Sequence, residues 1–291
     1  MQRLPWAVAC LCAASGRALA VQPVADGVRA LEYALFEKVV HKELRNRAEG
    51  RTWEYPFLHK IVSKQETVTL VDIGACVGDF NSNSNVEPVQ GILRSEKVRA
   101  VLVEPNPRAF DQLKEKVQGL HNNTDRIQLV EAAITNNRNV STVPFYVLSP
   151  DVVKDDVGNF LLNQVSSMSK RQLLQSGIAW KMNETQLEKY VQEIQVPAKT
   201  PLKLLQDAGV DPSKVDVLKV DAEGYDAIIL NAFLSIPGFN PKAIIFEALH
   251  LGQSRKKQII ERLNDAGYTT SCKRCFAPMD VTAVKEQYLG L

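Results

Sequence analysis

From residue 68 onward the chain sets short apolar runs between helix-like stretches: VTLVDIG, VRAVLVEP, RIQLVEAAI, VDVLKVDAEG and KAIIFEA. Runs this apolar have no face suited to water, and the stretches between them supply cover, so the pattern predicts a parallel sheet with helices on both sides. The helices have recognisable ends. Asn106 is placed to cap one that has Pro107 at its first position and Phe110, Leu113 and Val117 as its apolar stripe. Ser254 is expected to cap another, which stops at Gly267. Two closing stretches, YTTSCKRC and DVTAVKEQ, read as strands around a turn near Pro278, an antiparallel edge finishing a large α/β sheet.

About eighty residues separate RIQLVEAAI from VDVLKVDAEG, far more than one crossover helix needs. They hold a strand candidate (TVPFYVLS), a polar stretch (NQVSSMSKRQ) and a helix candidate (NETQLEKYVQ). An insertion of this size, spanning about 135–214, is where a substrate lid or selectivity element is expected.

Residues 1–20 begin with Arg3, continue through an apolar core from Leu4 to Ala14 and end in Ala18-Leu19-Ala20, the pattern of a cleavable signal peptide. An uncleaved short anchor and an organellar presequence are the competing readings. The core is too short for a membrane-spanning helix, which takes about 20 apolar residues. Residues 21–65 are expected to form a helical extension, with Val28, Leu31, Leu35 and Val39 at helical spacing in an amphipathic helix over 27–48. The main domain follows over 66–288.

Loss of residues 1–20 would remove Arg3 and Arg17 and no acid, bringing 35 basic residues down to match the 33 acidic ones. A neutral chain without a basic stripe is not built for nucleic acid. Cys76, Cys272 and Cys275 would remain, too few for a disulfide framework, and one C-x-x-C pair lacks the second pair of a zinc site. Sequons at Asn122-Asn123-Thr124, Asn139-Val140-Ser141 and Asn183-Glu184-Thr185 are compatible with a lumenal location.

In open α/β sheets ligands sit beyond the carboxyl ends of the strands. The first strand ends in Asp72, and Gly74 and Gly78 then allow a tight turn and close backbone approach. The spacing is G-x-x-x-G, neither the G-x-G-x-x-G of a dinucleotide site nor a Walker loop, so a ligand without phosphates fits better. Glu104, ending the second strand, is placed to accept hydrogen bonds from a ribose diol. Two carboxylates also suit a cation, and S-adenosylmethionine carries a sulfonium and an ammonium. In VDVLKVDAEGYDAIIL, Lys219, Asp221 and Glu223 crowd the end of an apolar strand, where unpaired charge is costly and either mutual pairing or a ligand is implied.

DIGACVGDF, VEPNP, VLKVDAEGYD and IIFEALH, in this order, resemble the FkbM family of S-adenosylmethionine-dependent methyltransferases over roughly residues 66–285. The resemblance implies the class I methyltransferase (Rossmann-like) fold, a seven-stranded mostly parallel sheet, and methylation usually directed at a hydroxyl of a sugar, lipid or polyketide-like product. It implies that Asp72, Gly74 and Gly78 form the cofactor turn, that Glu104, followed by Asn106, holds the ribose, and that Glu131 and Ala132 lie near the adenine. Asp221 and Glu223 would stand at the methyl-transfer end. Cys76 departs from the family, which commonly has Asn there, and NSNSNVEP lengthens the segment after the turn.

A hydroxyl acceptor must lose its proton, so a general base is required. Asp221 and Glu223 are the first candidates and His250 the second, with Glu247 placed to orient the acceptor or pair with Lys219. The sequence shows no His/Cys ligand cluster, and no metal is predicted. The partner expected is a small-molecule, lipid or glycan hydroxyl acceptor. The rival readings are a non-catalytic lumenal binding protein on the same fold and a nicotinamide-dependent oxidoreductase, the latter disfavoured by the missing glycine fingerprint.

Overall fold

The computed structural model describes residues 55–78, 80, 89–120, 124–152, 162, 165–176, 184–248, 250–271 and 280–289. The leader-like segment, the expected helix over 27–48, Cys272, Cys275 and the sequon asparagines 122, 123 and 183 lie outside them.

Helix α1 (Pro56–Lys64) precedes β1 (Val68–Ile73), β2 (Val98–Val103), α2 (Pro107–Gln118) and β3 (Ile127–Val130). The end of the RIQLVEAAI run splits off as β4 (Ala133–Ile134), and the insertion supplies β5 (Thr142–Leu148), β6 (Ser166–Ser167), α3 (Lys170–Ser176), α4 (Glu184–Glu188), β7 (Val191–Lys199) and α5 (Pro201–Asp207). The chain then returns through β8 (Val217–Val220), α6 (Asp226–Phe233), β9 (Ala243–Glu247), α7 (Gln253–Asp265), β10 (Tyr268–Thr270) and β11 (Asp280–Lys285).

Seven strands form one sheet in the order β10-β11-β9-β8-β1-β2-β3. From β9 to β3 every pairing is parallel, and β11 runs antiparallel between β9 and β10. The antiparallel finish is therefore borne out, with β10 as the outermost strand. Alternation along the strands feeds two cores. Val71, Ile73, Leu218 and Phe246 pack with residues of α5, α6 and α7, while Leu70, Leu102 and Ile245 pack with residues of α1 and α2. Strands covered on both sides have no use for polar residues, which is why these runs were legible as strands.

Asn106 caps α2 as expected, its side chain accepting from the Arg108 N–H at 3.2 Å. The buried stripe of α2 is Ala109, Leu113 and Val117, with Phe110 only half-buried. Helix α7 begins two residues earlier than expected: Gly252 is its N-cap, and Ser254 lies in the first turn. Its end agrees, Gly267 taking φ +80° beyond the last turn.

Together with β4 the insertion builds a second sheet, β4-β7-β5-β6, with a small core of its own from Leu148, Leu162, Leu173 and Leu187. TVPFYVLS forms β5 as expected. The helix candidate NETQLEKYVQ is divided: only Glu184–Glu188 is helical, and Val191 and Gln192 open β7, which pairs with β5 along its length. Half of β7 faces water, so its sequence lacks the apolar run that marks the central strands. Among the described residues no helix is long and apolar enough to cross a membrane.

Candidate active site

Chain progression reverses at β1: β2 and β3 lie on one side, β8 and β9 on the other. The crevice past the carboxyl ends of β1 and β8 is thus the switch point at which such sheets bind ligands. The turns leaving those two strands touch there. Gly74 has φ +82°, and a Cβ on it would stand 1.8 Å from the carbonyl oxygen of Asp221. Only glycine allows that approach. Gly78, at φ +73°, is closed in by Leu113 and Phe80, and Lys116 of α2 donates to its carbonyl at 2.7 Å.

The β1 turn and the end of β2 are tied through main-chain donors. Gly74 and Ala75 both donate to Val103 O, at 2.9 and 3.0 Å. Glu104, 5% exposed, accepts from Cys76 N–H on Oε2 and Asn106 N–H on Oε1, both at 2.8 Å. Burial lifts its carboxyl to about 7 against the opposing pull of those two N–H groups. Cys76 occupies the left-handed region at φ +50°, a conformation in which asparagine is common and cysteine is not. The family residue is thus missing where its backbone preference would help most. Burial, then the charge of Glu104, raises the Cys76 thiol, which stays protonated.

Asp72 is 0% exposed and lies beneath the turn. Its Oδ2 accepts from Gln90 Nε2 at 2.9 Å, and the same amide donates to Ala75 O at 3.0 Å, fastening acid to turn. Its Oδ1 is 3.8 Å from Lys219 Nζ, which is also 3.5 Å from Asp221 Oδ2. Burial raises the Asp72 carboxyl despite Lys219. Of the remaining cofactor-end residues, Ala132 is buried and Glu131 exposed, just past β3, while Asn106 is committed to the α2 cap.

Across the Gly74–Asp221 contact lies a denser group. Glu223 is held at φ +47°, a left-handed conformation that costs an ordinary residue roughly 1–2 kcal/mol. It is fixed there by Ser167 of β6, whose hydroxyl donates to Glu223 O at 3.0 Å. Its Oε2 is 3.1 Å from His250 Nε2, which is 3.8 Å from Glu247 Oε2. Gln172 of α3 places Nε2 2.5 Å from His250 Nδ1, so the insertion braces the site twice. Asp226, at the start of α6, accepts from Ala222 N–H at 2.9 Å and Gly224 N–H at 3.0 Å and so sets the turn that carries Glu223.

Burial raises the carboxyls of Glu223, Asp226 (to about 7) and Glu247, and the charges of neighbouring acids add to the effect. Burial pulls His250 down, but its hydrogen bond to Glu223 and the charges of Glu223, Asp226 and Asp221 leave the imidazole above its ordinary value. The fold therefore brings together Asp221, Glu223, Glu247 and His250, as the sequence suggested. Gln90, Ser167, Gln172 and Asp226 were not foreseen. Asp226 had a signal, an acid opening a helix just after a glycine turn; the other three are brought in only by tertiary packing.

Strand order, covering helices and the placement of the crevice define the class I methyltransferase fold. The methyltransferase FkbM domain profile matches residues 72–270, and the chain belongs to that family. The family is one of methyltransferases, which in general use S-adenosylmethionine. Solved structures resembling it include a methyltransferase FkbM from Methylobacillus flagellatus KT, 14% identical with a TM-score of 0.40. That match covers 75% of this chain and 44% of the other, so the chain spans less than half of that neighbour. A precorrin-6y C5,15-methyltransferase from Geobacter metallireducens GS-15 is 14% identical, covered 77% and 84%, at TM-score 0.34. TYW2 from M. jannaschii, solved in complex with AdoMet, is 12% identical, covered 80% and 76%, at TM-score 0.32. Among curated proteins none matches the chain.

Proposed function

We propose that this chain transfers the methyl group of S-adenosylmethionine to a hydroxyl oxygen of a glycan, lipid or other small-molecule acceptor. The observation that carries the reading is the 1.8 Å approach of a virtual Gly74 Cβ to Asp221 O, which puts the cofactor turn and the acidic turn on one wall of the crevice. Methyl transfer from a sulfonium is an in-line displacement on an activated carbon, so the protein's main work is to align donor and acceptor and exclude water. The Gly74 turn and Glu104 receive the nucleoside. Asp221, 24% exposed at its side chain and beside Lys219, takes the acceptor proton as the oxygen forms its bond to the methyl carbon. The electrons of the broken S–CH3 bond stay on sulfur, which leaves as a neutral thioether. Glu223, Glu247 and His250 position the acceptor, and the insertion closes over them through Ser167 and Gln172.

The leader-like residues 1–20 and the exposed Asn139 sequon support a location in the secretory pathway lumen. Calorimetric titration with S-adenosylmethionine, S-adenosylhomocysteine and NAD tests the cofactor, and a labelled methyl-transfer screen over glycans and lipids tests the acceptor. Both adenosyl ligands should bind and NAD should not. Asp221→Asn and Glu223→Gln should lower turnover more than cofactor affinity, whereas Glu104→Ala should mainly weaken binding. Equal losses in both quantities for all three folded variants would refute the assignment of roles, and cofactor binding without transfer would favour the non-catalytic reading.

A further inference from the structure

The acceptor side of the crevice contains two overlapping sets of three side chains whose donor atoms lie within 4.8 Å of one another: Glu223, Glu247 and His250, and Asp221, Asp226 and Glu247. Glu247 belongs to both. Its side chain is 11% exposed, and its buried Oε2 has no hydrogen-bond partner among the described residues, although it faces His250 Nε2 at 3.8 Å. A buried carboxylate oxygen left without a donor is costly, and a cation is one way to satisfy it.

The two sets are not equivalent. In the second, both Asp226 oxygens already accept main-chain N–H groups, and Asp221 lies 3.5 Å from the Lys219 ammonium, which repels a metal ion. In the first, the donor separations fit an ion directly. Two ligands each about 2.1 Å from a metal stand about 3.0 Å apart at a right angle and about 4.2 Å apart when opposed. His250 Nε2 is 3.1 Å from Glu223 Oε2 and 3.8 Å from Glu247 Oε2, both inside that interval.

A second contact points the same way. Histidines that bind metals are oriented by a hydrogen bond from the other ring nitrogen to an acceptor. Here that nitrogen, Nδ1, is 2.5 Å from the Gln172 amide. Turned end for end, that amide presents its oxygen to Nδ1–H and leaves the Nε2 lone pair directed at the two glutamates. Glu223 is meanwhile held in a left-handed conformation, in the turn set by Asp226, with its carboxylate on His250.

We propose that Glu223, Glu247 and His250 form a binding site for a divalent metal ion at the acceptor end of the crevice. Two carboxylates and an imidazole suit a first-row divalent ion such as Mn²⁺ or Zn²⁺ better than Ca²⁺, which takes six to eight oxygens. The ion's binding stands on these three residues alone. Its use rests on the methyl-transfer reading: as a Lewis acid it would hold the acceptor oxygen and ease loss of its proton to Asp221. The acceptor class is then narrowed to hydroxyls with a neighbouring oxygen able to chelate, such as a vicinal diol of a sugar.

The test is titration of the metal-stripped full chain with MnCl2, followed by electron paramagnetic resonance of free Mn²⁺ and by thermal shift, with S-adenosylhomocysteine binding measured in parallel. One saturable Mn²⁺ per chain is expected, weakened at least tenfold in Glu247→Gln and His250→Gln and changed less than twofold in Asp221→Asn. Circular dichroism identifies any variant that fails to fold, and Glu223→Asp, which keeps the charge but shortens the reach, then provides the comparison. Absence of saturable binding in the wild-type chain, or undiminished binding in folded Glu247→Gln and His250→Gln, overturns the site. Loss in Asp221→Asn with retention in His250→Gln overturns the choice of donors. Mn²⁺ binding in a chain that does not bind S-adenosylhomocysteine would sink the methyl-transfer reading and leave the metal site standing.

Discussion

Glu104 makes cofactor affinity depend on pH in a calculable way. In the unliganded chain its carboxyl is raised to about 7 because it is buried, while its two oxygens accept from Cys76 and Asn106 N–H groups. A ribose diol donates hydrogen bonds, so the bound form needs the ionised carboxylate, and below about pH 7 a proton must leave before the nucleoside can dock. Affinity for S-adenosylhomocysteine should therefore fall about tenfold, or about 1.4 kcal/mol, for each pH unit below 7, and be flat above about pH 8. Folding stability runs by the same linkage. A folded-state value above the ordinary 4.5 means that the native chain keeps this proton longer than the unfolded one does. The stabilisation is complete below about 4.5 and is lost as pH rises to about 7, by on the order of 3 kcal/mol. Calorimetry from pH 5.5 to 8.5 in two buffers of different ionisation enthalpy reads both the affinity and the proton released. Glu104→Gln cannot ionise; it should bind weakly at every pH and lose this slope, which separates Glu104 from Asp226, another group lifted to about 7. A pH-independent affinity in the wild type, or the same slope in folded Glu104→Gln, would refute the reasoning.

Gly74→Ala must push the β1 and β8 turns apart by about 1 Å or more and place alanine in the left-handed region, so it should cost more than about 2 kcal/mol and abolish S-adenosylhomocysteine binding. Denaturation within 0.5 kcal/mol of wild type would show that the two turns do not meet as described. Asn106→Ala removes a helix cap rather than a cofactor ligand, so urea denaturation should register about 1 kcal/mol of lost stability, with cofactor affinity kept within a few-fold. The reverse pattern, unchanged stability with binding lost, would return Asn106 to the cofactor. If the chain enters the secretory pathway, Asn139, exposed between β4 and β5, should carry a glycan, seen as a mobility shift on glycosidase treatment that Asn139→Gln abolishes. No shift in a chain recovered from secretory cells would count against a lumenal location.

The central strands were legible because burial on both faces forces an apolar run, and their ends were legible because Asp72, Glu104, Asp221 and Glu247 interrupt or follow those runs. The second sheet was not. β7 reads VQEIQVPAK, with polar residues for its wet face, and β6 is two serines whose strand character comes only from pairing with β5. The site divides in the same manner. Acids at strand ends are local signals, whereas Gln90 meets Asp72 across 18 positions and Gln172 meets His250 across 78, separations that no spacing rule reads. The sequence also showed its one candidate histidine without showing that two glutamates, one in the turn after β8 and one ending β9, face it.

What unites the legible and illegible parts is which group stands beside each buried acid of the crevice. On the cofactor side Glu104 is met by backbone N–H groups and Asp72 Oδ2 by Gln90, while the buried Asp72 Oδ1 makes no hydrogen bond among the described residues and has the Lys219 ammonium 3.8 Å away. On the acceptor side Glu223 and Glu247 meet through one imidazole, and a buried Glu247 oxygen remains without a donor among the described residues. An acid held in place by backbone donors, as Glu104 is, can still accept from a ligand through its remaining lone pairs. The Glu247 oxygen has no lysine in ion-pair contact among the described residues, only the His250 imidazole at 3.8 Å, so a cation, a proton or a hydroxyl from outside would satisfy it. Because Gly74 and Asp221 are in main-chain contact, neither side can shift by an ångström without moving the other. The insertion reaches both Glu223 and His250, so it is placed to alter acceptor geometry while leaving the cofactor turn untouched.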